Sequence, residues 1–218
     1  MNRETRKKRF LEIDIYPVTC ERLSTGRSNL QVLEGVIQGG ARIIQLREKA
    51  YSGRNFYRQA LAFREITRKA GVLLFINDHL DIALAVDADG VHLGQDDLPV
   101  ATARKLAPEL LLGASTHSLE EALQAQDDGA DYVNIGPIFP TNTKSGLHHY
   151  LGPEAIAAIS PNIRLPFTVM GGINETNIEQ VLAQGAQRIA MVTAITQAPD
   201  IAETVSALRR LIRSRRKA

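Results

Sequence analysis

The chain has 218 residues, 44% hydrophobic and 23% charged, with 16 Gly, 9 Pro, one Cys and no Trp. That length suits one large domain or two small ones. The hydrophobic share excludes global disorder, and a single cysteine excludes both an intramolecular disulfide and a Cys-based zinc cluster. The formal net charge is +2, and no apolar run approaches the ~20 residues of a membrane-spanning helix. No membrane partner is expected. The N-terminus is basic but lacks the apolar stretch of a signal peptide, and lone Cys20 suits the reducing cytoplasm.

Short apolar runs alternate with amphipathic ones along the chain. Strands are expected at 13–19, 42–47, 73–77, 90–93, 110–114, 132–136, 166–170 and 188–192. Most are rich in Val, Ile and Leu with few charges, as in strands buried on both faces. Helices are expected at 28–39, 54–70, 79–86, 99–107, 118–129, 152–159, 175–185 and 200–216. Ser118 with Glu121 forms a capping-box pattern, and Gly71, Gly129 and Gly185 suit left-handed C-caps. The phrases DADG (87–90), DDGAD (127–131) and AQGAQ (183–187) read as repeated helix-to-strand turns.

Eight strands each followed by a helix is the count of a single (β/α)8 barrel. A doubly wound sheet shares the alternation, but polar residues gather at the C-terminal end of nearly every strand, where a barrel builds its active site. No linker divides residues 1–218. A basic N-terminal extension of about residues 1–12 and a basic C-terminal end of about 209–218 flank the barrel. They carry Arg3, Arg6, Lys7, Lys8 and Arg9, and Arg209, Arg210, Arg213, Arg215, Arg216 and Lys217. No aromatic residues are interleaved with the C-terminal charges, so solvated, partly frayed termini are expected rather than a nucleic-acid interface.

At the end of the second strand, alternation places Gln45, Arg47 and Lys49 on one face. One amide and two cations suit a phosphorylated or diphosphorylated ligand. Asn77-Asp78 ends the third strand, and Asp96-Asp97 follows the fourth. Two acidic loops after adjacent strands could hold Mg²⁺, or Asp78 and Asp97 could cap the helices that follow. Ser115-Thr116-His117 ends the fifth strand with hydroxyls that could reach a ligand. In the loop after the sixth, two prolines and Gly146 shape a turn carrying Thr141, Thr143 and Lys144. Gly171-Gly172 and Met191-Val192-Thr193 end the last two strands, where such barrels often hold phosphate. Cys20 reads as structural, and the five histidines form no metal-binding spacing. His92 could be a barrel-core residue or a ligand contact.

Seven segments in order resemble the thiamine phosphate synthase (thiamine-phosphate diphosphorylase) family. They are QLREK (45–49), ND (77–78), DGVHLGQDD (89–97), GAS (113–115), GPIFPTNTK (136–144), GGI (171–173) and VTAI (192–195). The resemblance implies a (β/α)8 barrel and a transferase. It would join hydroxymethylpyrimidine diphosphate to a thiazole phosphate, or its carboxylated precursor, and release diphosphate. It implies that Gln45, Leu46, Arg47, Glu48, Lys49, Asn77, Ser115 and Lys144 form the pyrimidine diphosphate pocket. Thr141, Asn142, Thr143, Gly172, Val192 and Thr193 would hold the thiazole phosphate. Asp78 and Asp97 would ligate Mg²⁺, and Arg47, Lys49, Ser115 and Lys144 would be catalytic. The partners implied are these small molecules; nucleic acid is not expected, and a homo-oligomer stays open. The alternatives are a thiazole tautomerase-like isomerase and a non-catalytic phosphate-binding barrel. Tautomerases typically carry a histidine where this chain has Pro137. His148 and His149 match no family role, and Met170 stands where a smaller aliphatic residue is commoner.

Overall fold

The computed structural model describes residues 1–141, 143 and 149–216. The apolar runs form eight parallel strands: β1 Ile15–Pro17, β2 Ile43–Leu46, β3 Leu73–Asn77, β4 Gly90–Leu93, β5 Leu111–Thr116, β6 Tyr132–Ile135, β7 Phe167–Val169 and β8 Ile189–Met191. Each pairs with its neighbours in sequence order, and β1 pairs with β8. A bridge between Val18 and Gln45 brings β1 to β2, with the Thr19 N–H donating to the Gln45 carbonyl at 2.9 Å. The result is a (β/α)8 barrel.

The intervening helices are α2 Asn29–Gln38, α3 Gly53–Ala70, α4 Leu80–Ala85, α5 Val100–Leu106, α6 Leu119–Asp127, α7 Glu154–Ile159, α8 Ile178–Ala183 and α10 Ile201–Arg216. Their starts follow capping chemistry: Ser28, Ser52 and Ser118 each accept a backbone N–H from the first turn. Five of them, α2, α3, α4, α6 and α8, end in one shared turn. A residue at positive φ (Gly40, Gly71, Asp87, Gly129, Gly185) precedes a buried apolar one (Ala41, Val72, Ala88, Ala130, Ala186). The N–H of that apolar residue bonds the carbonyl five positions back, between 2.8 and 3.1 Å. This helix-ending geometry turns the chain into the next strand, and the repeated phrases at 87–90, 127–131 and 183–187 are three copies of it.

Alternation along the strands makes two apolar layers. Ile44, Leu46, Leu74, Ile76, Leu112 and Val133 pack outward under the helices. Tyr16, Ile43, Phe75, Leu111 and Tyr132 fill the barrel interior. Gly113 is required there, since a Cβ on it would run into the Tyr132 ring.

The N-terminal end differs from the expectation. Residues Arg3–Leu11 form helix α1, which closes the bottom of the barrel rather than fraying. Phe10 is buried, with its ring centroid 4.4 Å from that of Tyr132. Arg6 is buried too, beside Asp89, while Arg3 and Lys7 reach Asp131 at 2.8 and 3.3 Å. The C-terminal charges split between roles. Arg209 and Arg213 bind buried Asp14 at 2.9 and 2.6 Å, and Arg216 donates to the Ile13 and Gln187 carbonyls. Arg210 and Arg215 form exposed surface pairs. Cys20 is buried and free. No described helix is long and apolar enough to cross a membrane.

Candidate active site

The strands' C-terminal ends surround a cavity of about 250 Å³. On β2 and its extension, Gln45, Arg47 and Lys49 line the cavity, as strand alternation requires. Leu46 and Glu48 face the other way. Leu46 sits in the layer under the helices, and Glu48 accepts the Glu21 N–H at 2.7 Å. That bond and a 2.9 Å bond from the Arg47 N–H to the Thr19 hydroxyl pin the β2 loop to the β1 loop. The Arg47 guanidinium has no partner among the described residues.

Asn77 and Asp78 reach the cavity from β3, and Gly94 to Asp97 from the β4 loop. Asp78 stands at φ 62°, a left-handed conformation unusual outside glycine. Neither carboxylate caps a helix. The α4 N-cap is His79 and the α5 N-cap is Pro99. Asp78 instead accepts from Lys49, and Asp97 accepts the Gly94 N–H at 2.7 Å. Burial raises the Asp97 carboxyl above its ordinary range, and the neighbouring Asp78 carboxyl pushes it the same way, against the Gly94 N–H and Lys49. Among the described residues the two carboxyls therefore face a single lysine, itself largely in solvent, and positive charge or a proton between them would relieve their repulsion.

No group of three or more Asp, Glu, His or Cys among the described residues could hold a metal. Two carboxylates with the remaining positions left to water and phosphate oxygens match the way Mg²⁺ is usually bound.

From β5 come Ser115 and His117. The ring of His117 is held at Nδ1 by Glu121, 2.8 Å away. The β6 loop contributes Gly136, Pro137, Thr141 and Thr143, the two threonine hydroxyls 3.1 Å apart. Asn142 and Lys144 lie outside the described residues, as does His148. His149 is exposed and is not part of the cavity wall. Opposite stand Gly171, Gly172, Met191, Val192 and Thr193. Gly172 has positive φ, and a Cβ there would strike the Pro140 carbonyl, so the β7 loop packs directly on the β6 loop. Thr193–Thr196 form a short helix, α9, absent from the sequence reading.

The floor holds residues that the sequence reading missed: Val18, Asn134 and Ala190. Each lies at the inward position of its strand, so extending the alternation from Tyr16, Tyr132 and Val192 would have found them. His92 also lines the floor, and burial pushes its imidazole down to about 4 against the pull of Asp97, which keeps it neutral.

Comparison with known proteins bears on this cavity. The family described as thiamine monophosphate synthase matches residues 15–195. The chain is 48% identical over 198 residues to the thiamine-phosphate synthase of Chloroflexus aurantiacus, covering 91% of this chain and 92% of that protein. It is 48% identical over 204 residues to that of Pelotomaculum thermopropionicum, covering 93% and 94%. Among solved structures, thiamine phosphate pyrophosphorylase from Pyrococcus furiosus superposes with a TM-score of 0.86 at 36% identity, covering 97% of this chain and 98% of that one.

Proposed function

The chain belongs to the thiamine monophosphate synthase family, and on that premise we propose that this transferase condenses hydroxymethylpyrimidine diphosphate with thiazole phosphate by a Mg²⁺-assisted dissociative substitution. The observation that carries the mechanism is the Asp78–Asp97 carboxylate pair beside Lys49 and the Arg47 guanidinium, which has no partner among the described residues. Asp78 and Asp97 would hold Mg²⁺, which supplies charge neutralisation for the departing diphosphate. Arg47 and Lys49 face the same space, and Lys144, which lies outside the described residues, would join them. These cations stabilise negative charge where it develops as the carbon–oxygen bond breaks. Gln45, Asn77 and Ser115 hold the pyrimidine, whose amino-substituted ring bears the methylene cation. The thiazole nitrogen then attacks that carbon, so the chain needs no nucleophile of its own.

Gly172, Val192 and Thr193, across the cavity from Thr141 and Thr143, form the thiazole phosphate site, to which Asn142 would add. The backbone at Gly172 and the start of α9 offer the usual phosphate setting of this barrel class. Lone buried Cys20 supports a reducing, cytoplasmic setting.

The test is direct. Purified protein is mixed with both substrates and Mg²⁺, and thiamine phosphate is read after oxidation to fluorescent thiochrome. Mg²⁺-dependent product is expected. Binding of both substrates without product would overturn the reaction and leave a phosphate-binding barrel.

A further inference from the structure

A continuous chain of hydrogen bonds crosses the barrel interior beneath the cavity. The Gln45 amide Nε2 donates to the Tyr16 hydroxyl at 3.1 Å. The Tyr16 and Tyr132 hydroxyls are 3.1 Å apart. Tyr132 lies 2.9 Å from His92 Nδ1, and His92 Nε2 lies 2.9 Å from the Ser115 hydroxyl. Gln45, Tyr16, Tyr132 and His92 are all buried, so water does not randomise the links.

Each link holds one proton, and that fixes the direction of the whole chain. An amide nitrogen only donates, so the Tyr16 oxygen accepts. Among the described residues, the only partner for Tyr16's own proton is Tyr132. The Tyr132 proton then goes to His92 Nδ1, which must be bare. A neutral imidazole with a bare Nδ1 carries its proton on Nε2 and donates it to the Ser115 oxygen. The Ser115 proton is left pointing at the cavity. At the opposite end, Gln45 Oε1 has no partner among the described residues, and it can only accept.

We propose that this chain sets the polarity of the cavity floor, with Gln45 Oε1 accepting from the ligand and the Ser115 hydroxyl donating to it. The ligand class that answers this pattern is a neutral nitrogen heterocycle with an exocyclic amino donor on one side and an acceptor on the other. Identifying it with the aminopyrimidine rests on the proposed function. Tyr16, Tyr132 and His92 are positioning residues. Tyr16 holds Gln45, His92 holds Ser115 and Tyr132 joins the two, which keeps one donor–acceptor sense across the floor, as buried networks do when every member is satisfied.

The experiment is a long-range ¹H–¹⁵N spectrum of the histidine rings in the full-length protein without substrate or metal, with His92 assigned by its loss in His92→Gln. The expected result is a single tautomer with Nε2 protonated and Nδ1 bare. In Tyr132→Phe, which removes the donor to Nδ1, that single tautomer is lost. Protonated Nδ1 in the unaltered protein, or an unchanged spectrum in Tyr132→Phe, would overturn the proposal. Kinetics supply a second readout. Tyr132→Phe lowers kcat/KM about tenfold, the worth of one misdirected hydrogen bond. Combined with Ser115→Ala, its loss falls short of the product of the two single losses, because both act on one donor. Full multiplication would overturn the link to Ser115. Since the ring spectrum needs no turnover, an enzyme without synthase activity would still test the chain.

Discussion

At the N-terminal end of the barrel, Asp14, Asp89 and Asp131 each stand one residue before a strand, and each is nearly sealed from solvent. All three accept a strand N–H: from Ile15 at 2.8 Å, Leu74 at 2.9 Å and Leu112 at 2.9 Å. Each also has at least two basic partners: Arg209 and Arg213, Arg6 and Arg64, and Arg3, Lys7 and Arg104. At the C-terminal end, among the described residues, Asp78 and Asp97 share one exposed lysine. The same residue type is saturated at one end and short of positive charge at the other. A buried carboxylate whose partners come from the chain itself organises the fold. One left short of partners at a cavity marks a candidate site for a ligand from solution.

Variants should separate the two ends. The largest effect is expected from Asp78→Ala or Asp97→Ala, each lowering kcat/KM by about 10³-fold or more in the thiochrome assay. Little loss of stability should accompany it, since relief of the repulsion offsets the lost Gly94 N–H bond and the left-handed backbone at Asp78. Unchanged Mg²⁺ dependence in both variants would remove the metal assignment. Next comes Phe10→Ala at the closed end, where deleting a buried ring costs about 3–5 kcal/mol in denaturant unfolding. Its folded fraction should turn over as the parent does. A large fall in kcat with little change in stability would mean that the two ends are coupled.

Asp14→Asn should cost about 3 kcal/mol at neutral pH, because it strips the charge from a buried ion pair. Burial pushes the Asp14 carboxyl up, but hydrogen bonds from Arg209, the Ile15 N–H and Arg213 outweigh it and hold it below its ordinary value. A depressed carboxyl stabilises the fold above its unfolded pKa of about 3.9 and loses that contribution as pH falls through the folded value. The gap between parent and variant should therefore narrow below about pH 4. A gap that widens in acid would reverse the sign. The smallest effect is expected from Arg215→Ala, which removes an exposed pair with Glu179 and should move stability by no more than about 1 kcal/mol.

The open end was more legible than the closed one. Strands buried on both faces announce themselves as apolar runs, and their ends fixed Gln45, Arg47, Lys49, Asn77, Asp78, Asp97 and Ser115 on the cavity wall. Helix α1 was missed because RETRKKRFL shows only two inward residues, Arg6 and Phe10, among charges that read as solvated. Its burial depends on Asp89 and Asp131, which lie more than eighty residues away in the chain. Helix α9 has four residues, too few for any period to appear. The floor chain joins residues of β1, β2, β4, β5 and β6, and only closure of the barrel brings them together.

The central claim is that the Asp78–Asp97 pair, together with Lys49 and Arg47, receives a metal-bound diphosphate. Titration calorimetry of inorganic diphosphate into the unaltered protein, with and without Mg²⁺, tests it most directly, with Asp78→Asn/Asp97→Asn as the control. Tight binding only with Mg²⁺, and no Mg²⁺ dependence in the control, is the predicted result. Equal binding with and without Mg²⁺ in the unaltered protein would contradict it.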